Sequence, residues 1–150
     1  MSGSLSARAV SFAPQVLSVL RIVSAYLLLQ HGTAKLFGVP KVEYFANLQL
    51  FSLIGVVGIL EVVGGVLLLI GLFTRPTAFV LSGLLAFAYF LGHAPKGHVL
   101  IPFLNQGEAA ALFSFIFLYI ATAGGGASSV DAWRASDRGA VGSKAAVTTA

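Results

Sequence analysis

The sequence predicts an all-α integral membrane protein, a four-helix bundle with both termini on the cytoplasmic side. Three observations carry this expectation. The chain of 150 residues is 57% hydrophobic and only 9% charged, where soluble domains carry roughly 25% charged residues. The stretch from Phe51 to Phe73 is nearly all apolar and has a single ionisable residue, Glu61, near its middle. As a helix it is about 35 Å long, enough to cross a hydrocarbon layer of about 30 Å. Finally, with four spans, Arg8, Arg21, Arg75, Arg134, Arg138 and Lys144 fall on the side of the termini, while Lys35, Lys41 and Lys96 fall opposite. An excess of basic residues marks the cytoplasmic face.

Residues 1–13, mostly small or polar and carrying Arg8, read as a flexible start. The first span, about residues 15–37, opens after Pro14, a residue tolerated in a first helical turn. It is too long for a signal peptide and has no small-residue cleavage site at the right place, so it is read as an uncleaved span. Arg21 lies near its start, within snorkelling reach of the headgroups. Residues 38–47, with Pro40, Lys41 and Glu43, form a loop. The second span, about 50–73, ends in Thr74-Arg75-Pro76, where Thr74 suits a cap and Pro76 a helix start. The third, about 76–93, is short, and the following Pro- and Gly-containing segment to Leu104 reads as a loop dipping toward the bilayer. The fourth span, about 106–123, has Asn105 as a candidate cap and Glu108 in its first turn, where a negative group suits the helix dipole. Gly124-Gly125-Gly126 ends it, so one membrane domain covers residues 14–126. In the cytoplasmic tail, 127–150, only Ser129 to Arg134 has helical character, with Trp133 suited to the interface, and the rest reads as disordered.

Composition also excludes whole classes of function. The net charge of +4 comes from scattered basic residues that form no aromatic-interleaved patch, so nucleic acid is not a partner. With no cysteine, the chain offers no disulfide, thiol relay, thiolate-bound cluster or zinc-thiolate site, and no metal site is expected. Redox chemistry would require a borrowed cofactor or a partner chain. No P-loop, dinucleotide fingerprint, HExxH or nucleophile elbow is present.

Helical spacing makes Glu61 the focus. Gly58 precedes it by three residues and Gly64 and Gly65 follow by three and four, so the carboxylate lies on a strip without side chains. Small residues let membrane helices approach closely, which points Glu61 into the bundle. A carboxylate at bilayer depth costs roughly 2.5 to 3.5 kcal/mol and needs a partner. The topology places Gln30, His31, Lys35, His93, His98, Asn105 and Glu108 in the outer half of the bundle with Glu61 a little deeper. Such a set suits binding a polar headgroup, shuttling protons, or hydrogen-bonding the carbonyls of a quinone. The structural alternatives are an ion pair that fixes helix register, solvated loop histidines, and Asn105 and Glu108 as cap and first-turn residues. Haem ligation by His31 and His93 is disfavoured, because no wide small-residue pocket lies between their helices.

Several local motifs then form one pattern: Gln30-His31-Gly32-Thr33-Ala34-Lys35-Leu36-Phe37, Glu61-Val62-Val63-Gly64-Gly65 with Gly71-Leu72-Phe73-Thr74-Arg75, Asn105-Gln106-Gly107-Glu108, and Ser129-Val130-Asp131. Over Leu20 to Asp131 the sequence resembles the DoxX family of small four-helix bacterial membrane proteins. The resemblance implies a multi-pass protein of the bacterial inner (plasma) membrane. Because members are named for subunits of a terminal quinol oxidase and a thiosulfate:quinone oxidoreductase, it also implies a quinone-linked complex. On this reading Glu61 and His31 are the candidate catalytic residues, and Gln30, Lys35, His93, Asn105 and Glu108 the candidate ligand-binding ones. A quinone is the candidate cofactor, and partner proteins or further copies of the chain are expected within the lipid. The rival reading is a non-catalytic transporter, a lipid- or cargo-binding protein, or a scaffold.

Overall fold

In the computed structural model, which describes residue 7 and residues 10–138, the chain is helical and contains no strand among those residues. Helix α1 is Ala13–Phe37, α2 is Leu53–Ile70, α3 is Thr74–Ala88 and α4 is Glu108–Ala123. Helix α3 continues without a break through a π-helical turn, Tyr89–His93, and a 3-10 turn, Ala94–Lys96. Helix α1, helix α2 and the continuous helix Thr74–Lys96 are long and apolar enough to cross a membrane. Helix α4 is equally apolar but has 16 residues, about 24 Å. Arg8 and Lys144, counted in the charge distribution, lie outside the described residues, as do residues 139–150 of the expected disordered tail. Residues 130–138 are helical, a longer stretch than the sequence pattern suggested.

The helices pack chiefly as two antiparallel pairs, α1 with α2 and α3 with α4, joined by a smaller α2–α3 contact. The buried centre is Ala25 and Leu28 of α1, Leu68 of α2, Ala78, Leu81 and Leu85 of α3, and Phe117 and Ile120 of α4. Apolar side chains also cover the outside, as expected for helices whose other solvent is hydrocarbon: Val16, Val19 and Val23 on α1 and Val56, Val63 and Val66 on α2 are exposed.

The glycine strip is the reason α1 and α2 lie so close. A Cβ added at Gly58 would stand 3.0 Å from the Lys35 Cβ, one at Gly65 would stand 2.8 Å from the Leu29 side chain, and one at Gly32 would stand 2.7 Å from the Val62 side chain. Gly64 faces the other way, against Leu81 of α3 at 2.9 Å. One strip of small residues therefore docks two neighbours, the packing mode available where hydrocarbon gives no hydrophobic drive.

Side-chain caps close the helix ends at the pole where α1 and α3 begin and α2 and α4 end, and here the structure differs from expectation. Arg21 does not reach for headgroups. It is fully buried and donates to the Leu68 carbonyl, to Leu69 (2.8 Å), to Gly125 (2.8 Å) and to Ser128 (2.6 Å). The last carbonyls of α2 lack intrahelical partners, and a guanidinium with five donors satisfies several at once. Gly71 turns the chain there with φ 72°. It has no room for a side chain, because an added Cβ would meet the Ser129 Cβ at 2.5 Å. Nor is α3 capped by Thr74, whose position lies inside the helix. The amides of Phe73 and Thr74 donate to the two carboxylate oxygens of Asp131 at 3.0 and 2.7 Å. Partial burial pushes the Asp131 carboxyl up, but these amide bonds, with Arg134 nearby, outweigh it and hold the group below the usual carboxylate range. Arg75 in turn donates to the carbonyls of Ala121 (3.2 Å) and Thr122 at the end of α4.

Candidate functional site

At the opposite pole, a lysine and a glutamate meet inside the α1–α2 pair. Lys35 Nζ donates to both oxygens of Glu61, at 2.6 and 2.5 Å. The geometry follows from how side chains leave a helix. Each Cα–Cβ bond tilts toward its own N-terminus, so in an antiparallel pair Lys35 leans inward and Glu61 leans outward until they cross. Gly58 lies beside the Lys35 Cβ, and Gly32 lies beside the Glu61 Cβ, where an added Cβ would stand 3.1 Å away. These two glycines bring the backbones close enough for the pair to be made directly. The Glu61 side chain is 3% exposed and that of Lys35 12%, so the lysine side of the pair is the more accessible. The Phe45 ring of the α1–α2 loop lies 5.8 Å from Lys35 Nζ, within the range of a cation–π contact. The other salt bridge among the described residues, Lys41–Glu43, is fully at the surface of the loop.

The remaining sequence-derived candidates do not join this pair. His31 lies one turn before Lys35 and is exposed, and no hydrogen bond links it to Glu61. Gln30 is half-buried, and the contact it makes through its backbone is as acceptor for the Thr33 hydroxyl. Glu108 is exposed in the first turn of α4, where its charge complements the dipole.

His93 and Asn105 belong to a second cluster, built between the end of α3 and the loop before α4. Asn105 is buried. Its amide nitrogen donates to the Tyr89 hydroxyl (3.1 Å) and to the His98 carbonyl (3.3 Å), and its side-chain oxygen accepts from the Gly107 amide at 2.9 Å. Tyr89 donates to the Val99 carbonyl at 2.5 Å, and His93 Nδ1 lies 3.2 Å from the Asn105 carbonyl oxygen. The rings of Tyr89 and His93 are nearly parallel with centroids 6.4 Å apart. Asn105 is therefore the hub of the 98–107 loop and not the cap of α4, whose first residue follows Gly107. His98 contributes its backbone and is exposed. Tyr89, not among the sequence-derived candidates, is a member of this cluster. The signal available for it was its spacing of four from His93 at the end of a span. The single polar constellation expected from topology is thus two clusters, one on each helix pair, with no hydrogen bond between them among the described residues.

Two clefts accompany these features. One of about 670 Å3 lies on the α1–α2 loop, lined by Glu43, Tyr44, Asn47, Gln49 and Ser52 among others, and does not include the Lys35–Glu61 pair. The other, of about 820 Å3, is at the far pole around Arg75 and Asp131. No group of three or more His, Asp or Glu side chains able to hold a metal ion occurs among the described residues.

An all-helical bundle with a glycine-packed, ion-paired helix hairpin and an apolar exterior is a small multi-pass membrane protein. The chain belongs to the DoxX family, whose model matches residues 16–94. It is 43% identical over 122 residues, covering 80% of this chain and 91% of the relative, to an uncharacterized protein of Haemophilus influenzae. No solved structure matches the chain. The family match contains Lys35, Glu61, Tyr89 and His93, while Asn105, Glu108 and Asp131 lie beyond it.

Proposed function

We propose that this protein is a subunit of a bacterial inner-membrane complex, with its termini in the cytoplasm, that binds a quinone-type or similar small amphipathic ligand at the Lys35 edge of the buried pair and supports proton-coupled redox chemistry with partners. The observation that carries this reading is the Lys35–Glu61 pair itself, buried between membrane helices with the lysine side chain the more accessible of the two. Intramembrane ionisable residues are functional by default because their insertion is costly. The distribution of basic residues supports the orientation.

The donor set suits a carbonyl-bearing ligand at its edge. A quinone would supply the two-electron, two-proton couple. Lys35 donates a hydrogen bond to a ligand oxygen from the side not facing Glu61, and Glu61 holds the ammonium in place and exchanges a proton with it. His31, exposed and one turn away, offers a second hydrogen-bond donor or acceptor. Electrons come from a partner protein, since the chain has no cysteine to hold a thiolate-bound cluster. The test is binding of a quinone analogue to purified protein. Glu61→Gln and His31→Ala should each weaken it at least several-fold while the fold is retained, and intact binding in Glu61→Gln would overturn the assignment.

A second reading is favoured by one observation. Gly32 and Gly58 close tightly around the pair, which is what a lock fixing the register of α1 on α2 requires. In that case the protein is a non-catalytic scaffold, transporter or cargo-binding subunit. Replacing both Lys35 and Glu61 by apolar residues of similar size would then leave its cellular role intact.

A further inference from the structure

The cleft at the pole where α1 begins and α4 ends has the features of a lipid headgroup site. It holds about 820 Å3 between the first turns of α1 (Pro14, Leu17), the start of α3 and the end of α4 (Tyr119, Ala123). At this pole α1 and α3 begin and α2 and α4 end, so the apolar spans stop here and the cleft lies at the depth of the headgroups. Tyr119 and Trp133, both exposed at this pole, are residue types that gather at that depth.

Arg75 is the polar group of interest. Its Nη1 donates to the carbonyls of Ala121 and Thr122, and its Nη2 makes one long bond of 3.4 Å to Ala123. Those bonds engage the Nη1/Nη2 end of the guanidinium. Nε–H makes no hydrogen bond among the described residues, and Nη2 makes only the long one to Ala123. These two donors form the parallel fork that matches two oxygens of a phosphate. The acid in the cleft does not compete, because both oxygens of Asp131 are already held by the Phe73 and Thr74 amides. Arg134, over the Phe73 ring at 6.0 Å, adds a second positive charge nearby.

We propose that this cleft binds the phosphodiester of an anionic membrane lipid, with the free edge of the Arg75 guanidinium as its ligand and Pro14, Leu17 and Tyr119 against the glycerol and upper acyl chain. Basic pockets at the ends of membrane helices recognise lipid headgroups in this way. The site is independent of the Lys35–Glu61 pair, which lies at the other pole.

The test uses the full chain in nanodiscs of phosphatidylcholine with and without phosphatidylglycerol, reading thermal midpoint and, after detergent release, retained lipid by native mass spectrometry. The wild type should retain phosphatidylglycerol several-fold over phosphatidylcholine and melt at a higher temperature in its presence. Arg75→Gln should abolish both effects, and Arg75→Lys should keep only part of them, because an ammonium lacks the fork. Ala135→Glu places a negative charge on an exposed residue lining the same cleft. It should lower retention without changing the midpoint in phosphatidylcholine alone, and it decides the matter if Arg75→Gln does not fold. Equal retention of the two lipids by the wild type, or an unchanged preference in the variants that fold, overturns the proposal. Stabilisation by millimolar inorganic phosphate equal to that by phosphatidylglycerol overturns the lipid as the ligand.

Discussion

Lys35 and Glu61 are 26 positions apart in the chain, yet one ammonium nitrogen touches both oxygens of one carboxylate, at 2.6 and 2.5 Å, in the middle of a glycine-lined contact. Removing one partner of a buried pair leaves an uncompensated charge and costs about 3 to 5 kcal/mol, whereas replacing both with apolar groups is often neutral. Lys35→Met alone is therefore expected to destabilise the α1–α2 hairpin strongly, and Lys35→Met with Glu61→Leu to recover most of the loss. A double-mutant cycle on the unfolding free energy in mild detergent measures the coupling. Additive losses would show that the pair contributes nothing jointly.

Gly32 offers a sharper steric test. An added Cβ would meet the Val62 side chain at 2.7 Å and the Val62 backbone nitrogen at 2.9 Å. Overpacking of this kind costs about 1 to 3 kcal/mol, so Gly32→Ala should lower the thermal midpoint. Gly83 in α3 has open space around it, and Gly83→Ala should instead gain about 0.5 to 1 kcal/mol from helix propensity. Opposite signs at two glycines of the same protein distinguish packing from propensity.

Arg21 ties the end of α2 to the 125–128 segment through four carbonyls. Lysine keeps the charge but has three donors at one point and no fork. Arg21→Lys should leave buried carbonyls unpaired at about 1 to 3 kcal/mol each. Proteolysis of the segment after α4 should accelerate in that variant, and an unchanged digestion rate would contradict the clamp.

Asp131 makes the same pole sensitive to acid. Its folded-state pKa is depressed, so the stability it contributes is fully present above the pKa of a free aspartate, about 3.9. It is lost as pH falls through the lower folded-state value. Trp133, the single tryptophan, lies two residues away and should report the release as a change in emission below about pH 4. Asp131→Asn should abolish that transition, since its side chain does not titrate.

The hub at the other pole predicts a local effect. Asn105→Ala removes the bonds to Tyr89, His98 and Gly107 together, and Tyr89→Phe removes that to Val99. Hydrogen exchange should rise across residues 98–107 in both variants, more in Asn105→Ala, while α1 and α2 stay protected. Spread of the increase into α1 would mean that the two polar clusters are coupled.

Much of this architecture was legible in the residues. The run around Glu61 with glycines at helical spacing identified a buried acid on a docking strip, and Lys35 was among its expected partners. What pattern alone did not separate was the polar set at the pole of the α1–α2 loop. Topology places His31, Lys35, His93, Asn105 and Glu108 at one level, but a level is not a contact. The caps were misread for a related reason. Thr74 has good local capping chemistry, yet Asp131, distant in sequence, takes the amides at the start of α3, while Asn105 spends its side chain on Tyr89, His98 and Gly107.

The sequence by itself determined that this chain is a helical membrane protein, because apolar run length and glycine period act within one helix and need no knowledge of neighbours. Tertiary structure alone decided which polar groups meet, through the pairing of α1 with α2 and of α3 with α4. Hydrogen bonds and ion pairs act over about 3 Å, and at that range the outcome depends on helix pairing and side-chain tilt, which composition and spacing leave open.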